Sequence, residues 1–506
     1  MKKPDAPSLP MRTEDNAYGV TMLTEFPWAT ALILLPLTGG MACFLLPRMA
    51  KIIGLITVLG VTLSVAGLGW QMLQNGVYRH AVGGWGAPLG IELYADGLSL
   101  LMLAITALVG LGISIYSVAY FKAEVAVRFW PIWLFLLAAL NALFLSADIF
   151  NLYVTLELMG LAAVALTALT GSKDALNGAM RYLLATLLAS LAYLLGVALL
   201  YHSFGSVDIA ILAQRINASP AAWAAMGLMI VGLLLKTALF PLHFWLPPAH
   251  GSAPAPVSAL LSALVVKASF YILLRLWLNL FGPLDGSEGV DALLGLLGAA
   301  AVLWGSVQAL RQTRLKLLVA YSTVAQIGYL FLAFPLAASV GGVAWNAVAY
   351  LMLSHALAKA AMFLAAGNLL CFGGHDRIAD LDRVVQRLPL TAAAFALAGV
   401  SIMGLPPSGG FIGKWLLLEA ALSQGRWDLA LIILLGGLLA AAYVFKVVGH
   451  AFTQAPVTHE AQAVPASMQW TALLLALMAI LLGFLALPVL ALIGIGDVFA
   501  VSEMRP

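Results

Sequence analysis

Charge is what this sequence has least of. Asp, Glu, Lys and Arg together make up 9% of its 506 residues, against roughly 25% in an ordinary soluble domain. So few charged groups exclude a cytosolic globular protein. The net charge of +3 is too small for nucleic-acid binding, and on an apolar chain the distribution of charge matters more than its sum. Cysteine is nearly absent as well. Cys43 and Cys371 show no CxxC pair and no metal-ligand spacing, which argues against a disulfide framework and an iron–sulfur site. Cofactor signatures are missing too. No GxGxxG opens a helix after a strand, and the string GGFIGKW fails as a phosphate loop, because Ser408 stands where Gly is required and Trp415 where Ser or Thr is required. His202, His243 and His355 form no haem pair. We therefore expect no cofactor, no metal and no nucleic-acid partner. Without a chemical fuel of its own, the protein must exchange one ion gradient for another or be driven by a partner subunit.

What is present is apolar sequence, 63% of the chain. At about 20 apolar residues per crossing, the runs between Phe26 and residue 495 predict an all-α polytopic membrane protein with about 14 transmembrane helices. The reading divides the chain into a polar tail over 1–25, three helices over 26–128, five over 129–281, five over 291–450, and a last helix with the C-terminus over 469–506. The first helix is expected to be uncleaved, since its core is longer than that of a signal peptide.

Basic residues outside the runs fall unevenly. Arg48, Lys51, Lys122, Arg128, Lys173, Arg311, Arg314, Lys316, Arg377, Arg383, Arg387 and Lys446 lie on one side, whereas Arg79, Arg215, Arg275, Arg426, Arg505 and the tail lie on the other. The richer side is expected to be cytoplasmic, in the cell membrane, with both termini outside.

Five basic residues remain inside the runs: Arg181, Lys236, Lys267, Lys359 and Lys414. Arg181 is close enough to a helix end to snorkel. The four lysines are not, and each costs about 2.5–3.5 kcal/mol at the bilayer centre. Such groups mark ion or proton pathways. Glu157 is the one carboxylate well inside a helix and the natural partner for one of them. His355 and Lys359, spaced i,i+4, share a helix face and suit a proton relay.

Two runs are interrupted. Pro241 follows Lys236 by five residues and should unwind the helix near Thr237. In SIMGLPPSGGFIGKW, Pro406 and Pro407 precede Lys414. Paired interruptions at similar positions point to an inverted repeat, here five-helix units over 129–281 and 291–450 with broken seventh and twelfth helices.

The stretches LYVTLELMGL, LLLKTALFPLHFWLPPAHGSAPAPVSALLSALVVKASFYILLRLW, LKLLVAYSTVAQIGYL, LSHALAKAAMFLAAGNLL and GLPPSGGFIGKW resemble the antiporter-like subunits shared by Mrp-type cation/proton antiporters, respiratory complex I and membrane-bound hydrogenases. The resemblance is strongest to the D-type member of Mrp antiporters, then to the N-type member of complex I, since Lys414 stands where the M-type member of complex I has a glutamate and no long lateral helix follows the last span. It implies 14 helices in two inverted repeats and other membrane subunits as partners, with protons and a monovalent cation such as Na⁺ transported. Glu157 and Lys236 match the family's first half-channel pair, Lys267 its connecting lysine, His355 and Lys359 its central relay, and Lys414 its terminal lysine. Complex I-like NADH:quinone oxidoreductases, membrane-bound hydrogenases and inorganic-carbon uptake complexes use related proton-conducting subunits, so the resemblance leaves these assemblies open. None of these residues forms a catalytic site.

The charge asymmetry makes a direct prediction. A cysteine introduced at Arg383 should be shielded from an impermeant thiol reagent in intact cells; ready labelling there would overturn the orientation.

Overall fold

The computed structural model describes residues 26–455 and 461–499. The polar tail 1–25 lies outside the described residues. The chain is helical nearly throughout. Successive spans are α1 (Trp28–Leu45), α2 (Ala50–Asn75), α3 (Gly97–Tyr120), α4 (Ala123–Phe144), α5 (Ile149–Thr167) and α6 (Lys173–Phe204). The seventh comprises α7a (Pro220–Thr237) and α7b (Leu246–Ser252). Then come α8 (Ala255–Phe281), α9 (Glu288–Arg311), α10 (Leu315–Phe331) and α11 (Ala337–Gly373). The twelfth comprises α12a (Pro389–Met403) and α12b (Gly409–Ser423), followed by α13 (Trp427–Phe452) and α14 (Ala466–Leu481). Among the described residues 13 helices are long and apolar enough to cross a membrane. The interrupted α12 pair supplies one crossing more, in agreement with the expected count. A small antiparallel hairpin, β1 (Tyr78–Ala81) and β2 (Glu92–Ala95), joins α2 to α3.

Helix ends are set by local chemistry. Asp96, Asp148, Ser172, Ser219 and Ser408 each accept an N-terminal backbone N–H, as N-caps do. Gly205 and Gly374 end α6 and α11 in the left-handed region. Both expected breaks are present. The seventh span stops at Thr237 with Ala238 at φ 58°, and the twelfth stops at Met403 with Gly404 at φ 82°.

The helices pack through small residues, as they must where lipid is as apolar as the side chains. Backbones of α9 and α10 touch at Gly298 and Gly328. A Cβ at Gly328 would lie 2.5 Å from the Gly298 carbonyl, and one at Gly298 would lie 2.7 Å from the Gly328 carbonyl. The outer faces are apolar and exposed, with Leu34, Phe44, Ile56 and Leu63 on α1 and α2, and Leu158, Leu184, Leu188 and Leu191 on α5 and α6. At the centre lies α8, buried along its whole length except at Asn279.

One expectation of the charge count needs correction. Arg275 and Lys316 belong to helices and are buried, not set in solvent-facing connections. Arg275 sits in α8, where a bidentate ion pair with Asp96 satisfies it, and Lys316 occupies the first turn of α10.

Candidate functional site

All four lysines singled out from the sequence are buried, with Lys267 and Lys359 at 0% exposure. For two of them, Lys267 and Lys414, the polar surroundings come from irregularities in the helices. Lys236 occupies the last turn of α7a, and its Nζ lies 3.0 Å from Glu157 Oε1. Glu157 projects from the middle of α5 and also accepts from the Ser190 hydroxyl of α6. Its side chain stays 20% exposed. Gly160, one turn further along α5, packs close to α6, where a Cβ would lie 3.0 Å from the Thr186 hydroxyl. At the break beyond Thr237 the Leu235 carbonyl accepts the Ala238 N–H at 3.2 Å and the Trp245 indole N–H at 2.8 Å.

Lys267 follows a π-helical turn, Leu261–Val265. Such turns leave carbonyls out of the regular ladder, and Lys267 Nζ donates to the Ser262 carbonyl at 2.7 Å. Lys359 donates to the Val319 carbonyl at 3.2 Å and to the Ser322 hydroxyl, both on α10. Lys414 reaches back across the second break to the last carbonyls of α12a, Ile402 at 2.8 Å and Met403 at 3.2 Å. These are the acceptors a helix leaves unpaired at its C-terminus, where the macrodipole is negative. Lys414 Nζ also lies 4.4 Å above the Tyr329 ring. Gly404 makes the approach possible, because a Cβ there would lie 2.6 Å from Lys414 Cδ. Pro406 and Pro407 occupy the gap between the half-helices. Among the described residues, only Lys236 of these four has a carboxylate within ion-pair distance.

His355 is buried one turn from Lys359, as the spacing predicts, and neither ring nitrogen has a hydrogen-bond partner. The sequence reading missed three features. His250, in α7b, is fully buried with both ring nitrogens unpartnered, its ring stacked on Phe363 of α11 at 5.0 Å. Lys316 is 3% exposed and donates to the Gly251 and Ala253 carbonyls at the end of α7b. Finally, α10 is a polar seam. Its Thr323 hydroxyl meets the Ser262 hydroxyl beside Lys267 at 2.8 Å, Val319 and Ser322 hold Lys359, and Tyr329 underlies Lys414. Ser322, Thr323 and Gln326 inside one apolar run were the signal for that seam.

A cleft of about 930 Å³ opens at the helix ends on the side richer in basic residues. Lys122, Asp174, Arg181, Pro248, Lys316 and Cys371 are among the residues lining it. At the opposite ends of the helices, Asp148 caps α5 beside Asp208. Burial pushes the Asp148 carboxyl above its ordinary value, with the Asp208 charge adding to the shift and the Asn151 and Phe150 backbone N–H groups opposing it. On that side too, Arg275 makes its ion pair with Asp96, donates to the Ser99 hydroxyl at 2.9 Å and donates to the Tyr271 hydroxyl at 3.0 Å. This arrangement ties α8 to α3 and satisfies every group in it.

Residues 146–440 match a family described as NADH:quinone oxidoreductase/Mrp antiporter, TM, and residues 85–130 match one described as NADH-Ubiquinone oxidoreductase (complex I), chain 5 N-terminus. The chain is 36% identical to the N-type subunit of the NADH-quinone oxidoreductase of Desulforudis audaxviator, over 83% of this chain and 85% of that protein. It is 30% identical to the D-type subunit of the Na(+)/H(+) antiporter of Bacillus subtilis, over 83% of this chain and 86% of that protein. A chain in the structure of the Mrp complex from Dietzia sp. superposes with a TM-score of 0.85 at 25% identity, covering 96% of this chain and 98% of that one.

The Asp96–Arg275 pair predicts an asymmetry in stability. Arg275→Met alone leaves a buried carboxylate without its cation and should cost about 3–5 kcal/mol, whereas Asp96→Asn with Arg275→Met should cost far less. Subunit abundance and thermal unfolding in detergent would check this. Equal losses in the single and double variants would mean that the pair is not the source of the stabilisation.

Proposed function

The chain belongs to the NADH:quinone oxidoreductase/Mrp antiporter family of proton-translocating membrane subunits, and from that premise we propose that it is the proton-translocating subunit of a multisubunit Mrp-type Na⁺/H⁺ antiporter. The observation that carries the reading is the state of Lys267, Lys359 and Lys414. Each is buried and held by carbonyls, a hydroxyl or a ring face, with no carboxylate within ion-pair distance among the described residues. Neutral acceptors satisfy the N–H groups of an ammonium without neutralising its charge, so they position the amine and leave its proton free to depart. A structural ion pair would do the opposite.

In this reading a proton passes along Lys236, Lys267, His355/Lys359 and Lys414. Glu157 biases Lys236 through their ion pair. Opening a pair at about 4 Å in an effective dielectric of 20 changes the energy by about 4 kcal/mol, enough to load or release a proton. We take 129–281 and 291–450 as two inverted five-helix units, in which α7 and α12 are each the fourth helix. The side with the cleft is cytoplasmic and both termini are outside. The partners are other membrane subunits of the same assembly, and the coupled ion is a monovalent cation. A second reading, a proton-pumping subunit of a complex I-like NADH:quinone oxidoreductase, is favoured by one observation, the 36% identity to the N-type relative.

The test uses sealed vesicles carrying the assembled complex. Lys236→Ala and Lys414→Ala should each cut proton-coupled transport by about tenfold or more, with subunit abundance near normal. Glu157→Gln should weaken transport or move its pH optimum. Lys→Arg should not rescue, because a guanidinium keeps its proton at any physiological pH. Active Lys→Arg variants at both positions would sink the relay. Proton movement driven by a Na⁺ gradient without NADH supports the antiporter, and movement that requires NADH and quinone supports the second reading.

A further inference from the structure

The relay described above has four lysines, but the protein buries a fifth. Lys316 lies in the first turn of α10 at 3% exposure and has, among the described residues, no carboxylate within ion-pair distance, its neighbour Arg314 taking Asp376 at 2.9 Å instead. It is also among the residues lining the 930 Å³ cleft, and Gly251 and Ala253, whose carbonyls hold its amine, line the same cleft. Its ammonium donates to the Gly251 and Ala253 carbonyls, in the segment that directly follows His250. His250 in turn stacks on Phe363, one turn beyond Lys359 on α11.

The same helix continues the line. Val319 and Ser322, which hold Lys359, lie three and six residues after Lys316 on α10. Six residues are about 9 Å along a helix axis, a span of about three water molecules at about 2.8 Å per hydrogen bond. The cleft, Lys316 and the Lys359 site therefore follow one another along a single buried helix. We infer that Lys316 is a proton-loading residue, which takes protons from water in the cleft and feeds the relay at Lys359; each cycle requires it as well as Lys236, so neither inlet replaces the other. The neutral amine accepts a proton from hydronium in the cleft and releases water. The ammonium then returns that proton inward, and the amine is restored for the next cycle. This inference rests on the proton-path reading above.

The competing role is structural, a lysine capping the C-terminal carbonyls of α7b, which is common at helix ends. Two substitutions separate the roles. Lys316→Gln keeps an N–H donor for Gly251 and Ala253 but cannot carry a proton, and Lys316→Arg keeps donor and charge but cannot release one. A capping role leaves both active. A loading role slows both by about tenfold or more, with rates normalised to subunit abundance.

A third variant tests for gain of function. Lys316→Cys is made with Cys371→Ser, because Cys371 lines the same cleft, whereas Cys43 is buried. Treatment with 2-aminoethyl methanethiosulfonate from the cleft side restores an amine and should restore proton-coupled transport, whereas methyl methanethiosulfonate should not. Lys316→Gln or Lys316→Arg running within about twofold of the unmodified complex, or equal rescue by both reagents, overturns the loading role. Lys236→Ala in parallel vesicles keeps the two ideas apart. If it abolishes transport while Lys316→Gln is fully active, only the loading role falls. If it leaves transport intact, the path reading falls and the loading role with it.

Discussion

An ammonium buried in hydrocarbon without a counter-ion is the constraint to which the rest of this fold answers. Each such group costs about 2.5–3.5 kcal/mol even on a lenient scale, and the three in the row approach the whole stability of an ordinary domain. A regular helix has no spare acceptors to offer, because its carbonyls are already bonded. The protein meets the demand at Lys267 and Lys414 by making its helices irregular there, and at Lys359 with the Ser322 hydroxyl and a Val319 carbonyl shared with the Thr323 hydroxyl. A π-turn frees the acceptor for Lys267, and the interruption at Gly404 frees two for Lys414. The interrupted helices therefore supply ligands as well as bends.

The exception is informative. Lys236 alone has a carboxylate, and Glu157 is partly exposed between α5 and α6, whose outer faces are apolar. An ion pair there is open to influence from outside the bundle, whereas the other three lysines are sealed within it. The centre of the row is held by α8 and α10. The Ser262–Thr323 contact links the Lys267 site to the helix that also holds Lys359 and underlies Lys414. One polar helix seam thus touches the surroundings of Lys267, Lys359 and Lys414.

Much of this was legible in the sequence. Apolar runs marked the spans, proline marked both breaks within a few residues, and four lysines too far from any helix end to snorkel had to be buried together with an acceptor. What stayed hidden was charge near span ends. Lys316 follows Arg311 and Arg314 and reads as part of a basic connection; its burial depends on carbonyls of α7b contributed more than 60 residues earlier. Arg275 reads as an outer anchor because its partner Asp96 is 179 residues away. His250 sits among prolines and glycine in LPPAHGSAP, a composition that reads as a turn, yet the segment folds as a short buried helix. Periodicity reports which face of a helix is apolar, but not which distant backbone group will meet a charge.

The continuity of the lysine row is most directly tested at its centre. Lys359→Met in the assembled complex fills the buried site and keeps the helix, while removing the proton carrier at which the entries from Lys236 and Lys316 meet. The account predicts that proton-coupled transport in sealed vesicles falls about tenfold or more with subunit abundance unchanged. Transport at the unmodified rate would contradict it, because protons would then cross without passing the middle of the row.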